Sequence, residues 1–341
     1  MEGQYGFRIP PPPRRIAPRS PSPSKLGEEL RLTALAPSPG RCHLVSLTAP
    51  VPKEAVLIVN AASRKGQALF REAVDKLRDA GIVLISAHAL RDPRLLVPTV
   101  KEAVRSGAPM VIVGGGDGSL SYTVDEVVDR DCVFALLPLG TANSFARTLG
   151  IPLDLDGAIA TIATGQRRRI DLGMINDDYF ANCAAMGLSP MIGEGVPHNL
   201  KRYLGRVGYL IWAFWCLIRF HAFRLTVRGD GIDETLWATE VRIANGGHHG
   251  GVELIESAEL NSGQIVVQAV VGRRASSLVW DWFAKYWKLP SRNRTTREFH
   301  GAELTIETRP RQRISIDGEV LAKTPVVARV AQLAIEVVVP A

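Results

Sequence analysis

Residues 111–119 read Val-Ile-Val-Gly-Gly-Gly-Asp-Gly-Ser, an apolar run that ends in bare glycines carrying one carboxylate. Backbone N–H groups in such a turn stand clear of side chains, and a helix starting near Ser119 adds the positive end of its dipole. The guest that suits this loop is a phosphate. Asp117 cannot bind a phosphate oxygen directly, so its carboxylate serves either a Mg²⁺ bridge or a contact to a hydroxyl or water. Alone, this stretch is equally well a tight turn with a surface Asp. A second glycine turn, Leu-Pro-Leu-Gly-Thr-Ala-Asn at 137–143, follows another apolar run and weighs the reading toward a nucleotide phosphate site. Near the other end, Asp317-Gly318 before Glu319 is by itself a hairpin signal.

These turns need elements to hold them. From Ala55 to Leu137, short apolar runs (55–59, 82–85, 110–113, 133–137) alternate with helical patterns, one of them with Leu69, Phe70, Ala73, Val74 and Leu77 on one face. Continuous apolar strands separated by helices predict a parallel sheet covered on both faces, with ligands at the carboxyl ends of the strands. After about residue 168 the pattern changes to alternating strands and hairpin turns, such as Asn176-Asp177-Asp178 and Gly229-Asp230-Gly231. The fold expected is an α/β N-terminal domain followed by an antiparallel β domain. Its parts are a disordered basic Pro-rich tail (1–50), an α/β domain (51–168) and a β domain (169–341).

Composition limits the partners. The 341 residues are 46% hydrophobic and 22% charged, with a net charge of +7, which favours an anionic partner: nucleotide phosphates, lipid head groups or nucleic acid. No base-stacking motif supports the last, so no nucleic acid is expected. Ten of the 22 prolines fall in the first 50 residues, which lack the apolar core of a signal peptide. The apolar stretch 209–218 is too short for a bilayer that needs about 20 residues. Cys42, Cys132, Cys183 and Cys216 form no Cys-x-x-Cys pattern, and an intracellular, reducing setting is expected. His248-His249 has no third ligand at metal spacing and reads as a solvated turn. Arg167-Arg168-Arg169 reads as an exposed edge. The aromatics Trp280, Trp282, Phe283, Tyr286 and Trp287 read as core, with a membrane interface beside Lys285 and Lys288 as the second reading.

Four stretches, in order along the chain, resemble the diacylglycerol kinase catalytic family, which includes sphingosine kinases and soluble bacterial lipid kinases. They are Asn60-Ala61-Ala62-Ser63-Arg64-Lys65-Gly66, Gly115-Gly116-Asp117-Gly118-Ser119, the run 137–147, and Ile316-Asp317-Gly318-Glu319. Weaker support comes from Ile170-Asp171-Leu172-Gly173, Asn182 with Gly187, and Asn245-Gly246 before Gly250-Gly251. The resemblance implies a Rossmann-like domain of the phosphofructokinase and NAD-kinase type joined to a β-sandwich domain, and ATP-dependent phosphorylation of a lipid hydroxyl in the cleft between them. It places Asn60, Ser63, Gly115, Gly116, Gly118, Ser119, Gly140, Thr141 and Asn143 at ATP and Asp117 at Mg²⁺. Asp317 becomes the general base, with Glu319 beside it. Expected partners are ATP, a lipid acceptor, an anionic membrane surface touched peripherally from the cytoplasm and, as an open alternative, a second copy of the chain. Two departures stand out: Arg64 where a Gly is common, and Ser144 where an acidic residue often follows the third motif's Asn. They keep alive the reading of a nucleotide-binding regulatory protein that has lost transfer activity, and the Gly-Gly-Asp-Gly loop, also used by NAD kinases, keeps an NAD-kinase-like enzyme open.

Overall fold

The computed structural model describes residues 50–62, 64–195, 198–287, 295–316 and 319–341. The Pro-rich tail falls outside them apart from Pro50. The first half runs β1 (Glu54–Asn60), α1 (Arg64–Asp79), β2 (Val83–Leu90), α2 (Leu96–Arg105), β3 (Met110–Gly115), α3 (Asp117–Val124), β4 (Val133–Pro138), α4 (Ser144–Thr148) and α5 (Leu155–Thr164). Its strands pair in parallel in the order β2-β1-β3-β4. Every residue of β3 and β4 is buried, as central strands between helical layers require. Helix α1 turns Ala73 and Leu77 into that core, with Phe70 and Val74 beside them. Coverage stops at the edge strand: β2 alternates, and Val83 and Ile85 are more than half exposed. The expectation of a sheet covered on both faces therefore holds for the interior strands and not for this one.

The second half continues with β5 (Gln166–Ile175), β6 (Asp178–Phe180), β7 (Cys183–Gly187), α6 (Leu188–Gly195), α7 (His198–Arg219), β8 (Phe223–Gly229), β9 (Ile232–Ala244), β10 (His248–His249) and β11 (Val252–Glu253). It closes with β12 (Ile265–Val271), α8 (Ser276–Tyr286), β13 (Thr296–Gly301), β14 (Glu303–Arg309), β15 (Arg313–Ile316), β16 (Glu319–Lys323) and β17 (Val326–Val339). Both turns read from the sequence are present, with Asn176 and Asp230 at positive φ between paired strands. Strand β9 changes character midway: it alternates while paired only with β8 and is wholly buried from Ala238, where β12 joins it and β7 follows from Glu240. No described helix is long and apolar enough to cross a membrane.

The two halves share one hydrogen-bonded sheet. Strand β17 begins antiparallel to β14, ends parallel to β4, and pairs with β5 along its other edge. Ile170 and Leu172 of β5 and Val337 to Val339 of β17 lie in the first core, while Ile175, Val326 and Ala328 lie in the second. Between the two stretches Leu333 leaves the ladder at φ +50°. There the buried Asp171 takes over, one carboxylate oxygen accepting the Leu333 N–H at 2.8 Å and the other the Gly263 N–H at 2.9 Å.

One charged cluster is fully enclosed in the second half. Glu240 and Arg242, two residues apart on β9, share a face, and Arg242 lies opposite Gln268 of β12. The Arg242 guanidinium donates to Glu240 at 2.7 Å and to Gln268 at 2.8 Å, and lies 3.6 Å from Asp281 of α8. Glu240 also accepts the Ser189 N–H at the start of α6, at 3.1 Å. Burial works against the charge on Arg242, and the Glu240 and Asp281 carboxylates outweigh it, so the guanidinium is held more firmly protonated than in water. Removing the cation strands two buried carboxylates. Arg242→Met is expected to lower the unfolding free energy by roughly 3–5 kcal/mol, read from urea denaturation. A loss below about 1 kcal/mol would show that the cluster does not depend on its cation.

Candidate active site

The motifs meet where three adjacent parallel strands end: β1 at Asn60, β3 at Gly115, β4 at Pro138. Leu139 donates its N–H to the Gly115 carbonyl at 2.9 Å, carrying the β3–β4 pairing one step beyond the strands. The Asn60 side-chain amide donates to the Ser119 hydroxyl at 3.0 Å, tying the first loop to α3. That helix starts at Asp117, two residues earlier than expected, because Gly116 passes from strand to helix in an extended conformation with no intervening loop. Its first i to i−4 bond is Leu120 N–H to Gly116 C=O, so the N–H groups of Asp117, Gly118 and Ser119 have no partner within the helix. Free N–H groups at a helix N-terminus can hold an anion.

The third motif closes onto the second without side chains between them. A Cβ placed on Gly140 would lie 2.5 Å from Gly116 Cα, a distance only glycine permits. Asn143, buried and at φ +48°, accepts the Gly140 N–H at 2.9 Å and donates to the Gly140 carbonyl at 3.0 Å. Its amide is committed to its own loop, so what it offers a ligand is the shape of that loop. Gly140 and Thr141 are exposed and open to one. Asp117, half-buried, accepts the Phe145 N–H at 3.2 Å and so caps α4, a helix whose own N-cap residue makes no such bond.

Helix α4 also joins the two halves. The Ser144 hydroxyl accepts the Gly251 N–H at 3.0 Å, and the Thr148 hydroxyl donates to Asn182 Oδ1 at 3.0 Å and lies 3.3 Å from His248 Nδ1. The Asn182 amide donates to the His248 carbonyl. Ser144 thus has a partner on the β half. His248, read as a solvated turn, belongs to this joint; its place inside the 245–251 glycine stretch was the available signal. Arg167 also departs from an exposed edge, pairing with Glu336 in a half-buried bridge that raises its pKa.

Strand β15 pairs with β7 so that Ile316 faces Ala184, and the β15–β16 hairpin sets Ile316 opposite Glu319. This register brings the residues flanking Asp317 to the Asn182 end of β7, the end that touches α4. Asp317 and Ser63 lie outside the described residues, as does the side chain of Glu319. Among the described residues no three His, Cys, Asp or Glu gather as a metal cluster. One carboxylate beside a phosphate cradle fits Mg²⁺ arriving with a nucleotide, since Mg²⁺ keeps several waters and takes phosphate oxygens as ligands. Cys132, Cys183 and Cys216 are buried, and burial pushes the Cys132 thiol up to about 11, which removes it as a nucleophile.

Residues 54–175 match the diacylglycerol kinase catalytic domain, and residues 183–339 match the YegS C-terminal NAD kinase beta sandwich-like domain. "Probable lipid kinase YegS" of Salmonella dublin is 36% identical over 223 residues, covering 64% of this chain and 74% of that protein. "Probable lipid kinase YegS-like" of Enterobacter sp. (strain 638) is 33% identical over 216 residues, covering 62% and 72%. A crystal structure titled as a diacylglycerol kinase from Bacillus anthracis str. Sterne superposes with a TM-score of 0.66 at 21% identity, covering 84% of this chain and 97% of the other. At that identity the likeness concerns the fold.

The contact between Gly116 and Gly140 makes a direct forecast. Gly140→Ala forces the two loops apart and is expected to weaken ATP binding by about tenfold or more, measured by calorimetry. Unchanged affinity in a folded variant would show that the joined loops are not the phosphate cradle.

Proposed function

The chain belongs to the diacylglycerol kinase catalytic family, and on that premise we propose that it transfers the γ-phosphoryl group of ATP to a hydroxyl of a diacylglycerol-like or related lipid. The observation that carries this is the convergence of Asn60, the α3 N-terminus and the exposed Gly140-Thr141 turn at one set of strand ends, with β15 reaching the Asn182 end of β7 at Ile316. Loops of the α/β half hold the phosphates, and the β half supplies the base. Phosphoryl transfer asks the protein mainly for positioning and for donors to spreading negative charge. The N–H groups of Gly118 and Ser119, without partners in α3, are donors of that kind.

In the proposed step the acceptor oxygen attacks the γ-phosphorus, its proton passes to the Asp317 carboxylate, and ADP leaves with the bridging oxygen and its electron pair. Mg²⁺, bound with ATP beside Asp117, supplies neutralisation of the phosphate charge. Asp117 keeps α4 in place through Phe145 while its carboxylate faces the nucleotide. Glu319 sits at the base of the same hairpin. The reaction runs in the cytoplasm at a membrane surface, where the acceptor resides, and its product feeds phospholipid synthesis.

The acceptor class is tested with γ-labelled ATP against diacylglycerol, sphingoid bases, phosphatidylglycerol and NAD. Label in one of the lipids is expected; label in NAD alone would replace the lipid reading. Asp317→Asn is expected to cut turnover by roughly 10²–10⁴ while leaving ATP affinity nearly unchanged, because an amide keeps the shape and cannot take the proton. Turnover within about tenfold of the parent would remove Asp317 from the base role.

A further inference from the structure

Two helices of the β half turn an apolar face outward. On α7 the exposed side chains Val207, Leu210, Ile211, Phe214, Trp215 and Ile218 recur at spacings of three and four, a single stripe along the helix. The opposite side, centred on Cys216, packs with Leu188, Ile192, Val270 and Leu278 in a small core that α8 shares. Helix α8 in turn exposes Trp280, Trp282 and Phe283 at close to half their surface. These are the aromatics that the sequence reads as core. Periodicity marks one face of a helix as apolar without saying which way that face points.

The sequence of α7 carries charge of one sign. The 22 residues of α7 contain Lys201, Arg202, Arg206 and Arg219 and no Asp or Glu. Arg219 lies over the Trp215 ring at 4.5 Å, holding a cation at the rim of the stripe. The single acid of α8, Asp281, is turned inward and buried against Arg242. Neither helix therefore offers a carboxylate on the outer face, and the same buried cluster anchors α6 through Ser189 and α8 through Asp281.

We propose that the outer face of α7 and α8 docks on an anionic phospholipid bilayer, lying in the head-group layer without crossing it. A helix with Trp and Phe on one side, cations and no acids is built for that interface. Charge decides between occupants: a second copy would bring cation against cation, whereas anionic head groups complement the face. The choice of bilayer rests on the lipid-kinase reading. It also supplies what that reading lacks, a way for the cleft to meet an embedded acceptor. Only the five-residue β7, about 17 Å, separates the α4 joint from Gly187, where α6 begins the path to α7.

The test uses the full chain, its basic tail included, in flotation with vesicles of phosphatidylcholine alone or with roughly one-third phosphatidylglycerol. Floating with the anionic vesicles is expected, and the variant Leu210→Glu/Phe214→Glu/Ile218→Glu should lose about tenfold or more of that binding. Thermal unfolding and ATP affinity should stay at parental values, because all three side chains are exposed. The milder Phe214→Ser, which keeps the helix charge, should give an intermediate loss. Turnover of a short-chain lipid dispersed in detergent should match the parent while turnover of vesicle-borne lipid falls. A triple variant that floats like the parent overturns the proposal and puts the binding elsewhere. A parent that ignores vesicles but forms dimers that the variant abolishes overturns it in favour of a second copy. Vesicle binding lost in the variant, with no lipid phosphorylated by either protein, upholds the docking face and sinks the kinase reading instead.

Discussion

The constraint on which the molecule turns is the passage of the β5–β17 ribbon from one half to the other. A strand that is antiparallel to β14 at one end and parallel to β4 at the other must break its ladder, and the break exposes backbone donors inside the protein. Asp171 meets that need with both oxygens, at Leu333 and Gly263, while its carbonyl accepts from the Asn245 amide at 2.8 Å. A carboxylate buried this way is stable because each of its oxygens finds a backbone donor. Through it the halves have separate cores and one sheet, so their relative placement is set by backbone pairing.

The site inherits that rigidity and adds a finer adjustment. Gly116 and Gly140 touch through bare backbone, Asn143 shapes its own turn, and Asp117 reaches across 28 residues to cap α4. Helix α4 then meets the β half through Ser144 and Thr148. Each of these hydrogen bonds is worth about 1 kcal/mol net, small beside the apolar burial of the ribbon. They fix the loops against the β half at Asn182, His248 and Gly251; the ribbon holds the halves together.

The other buried charges work on the far side of β9. Arg242 costs much to enclose, and its partners come from three elements: Glu240 on its own strand, Gln268 across the ladder and Asp281 from α8. The return is orientation. With Asp281 held inward, α8 must turn its tryptophans outward, and the shared core below α7 does the same for Phe214 and Trp215.

Local chemistry was legible from the residues alone. The glycine turns at 115–118 and 140–141, the strand–helix alternation up to 137, the hairpins at 176–178 and 229–231 and the strand-like run at 333–339 all rest on φ/ψ preference or on side-chain period, which neighbours along the chain decide. The partners did not follow from those signals. The sequence marks β17 as a strand, but only the register shows it serving both halves; nothing local to Asp171 or Arg242 says which distant residues enclose them. Asp117 reads as a ligand, and the fold makes it a cap of α4; Trp280 to Trp287 read as core, although Trp280, Trp282, Phe283 and Trp287 are exposed. Period and turn chemistry are written in adjacent residues, whereas burial, pairing and charge compensation depend on residues brought together from far along the chain, and those only the tertiary structure supplies.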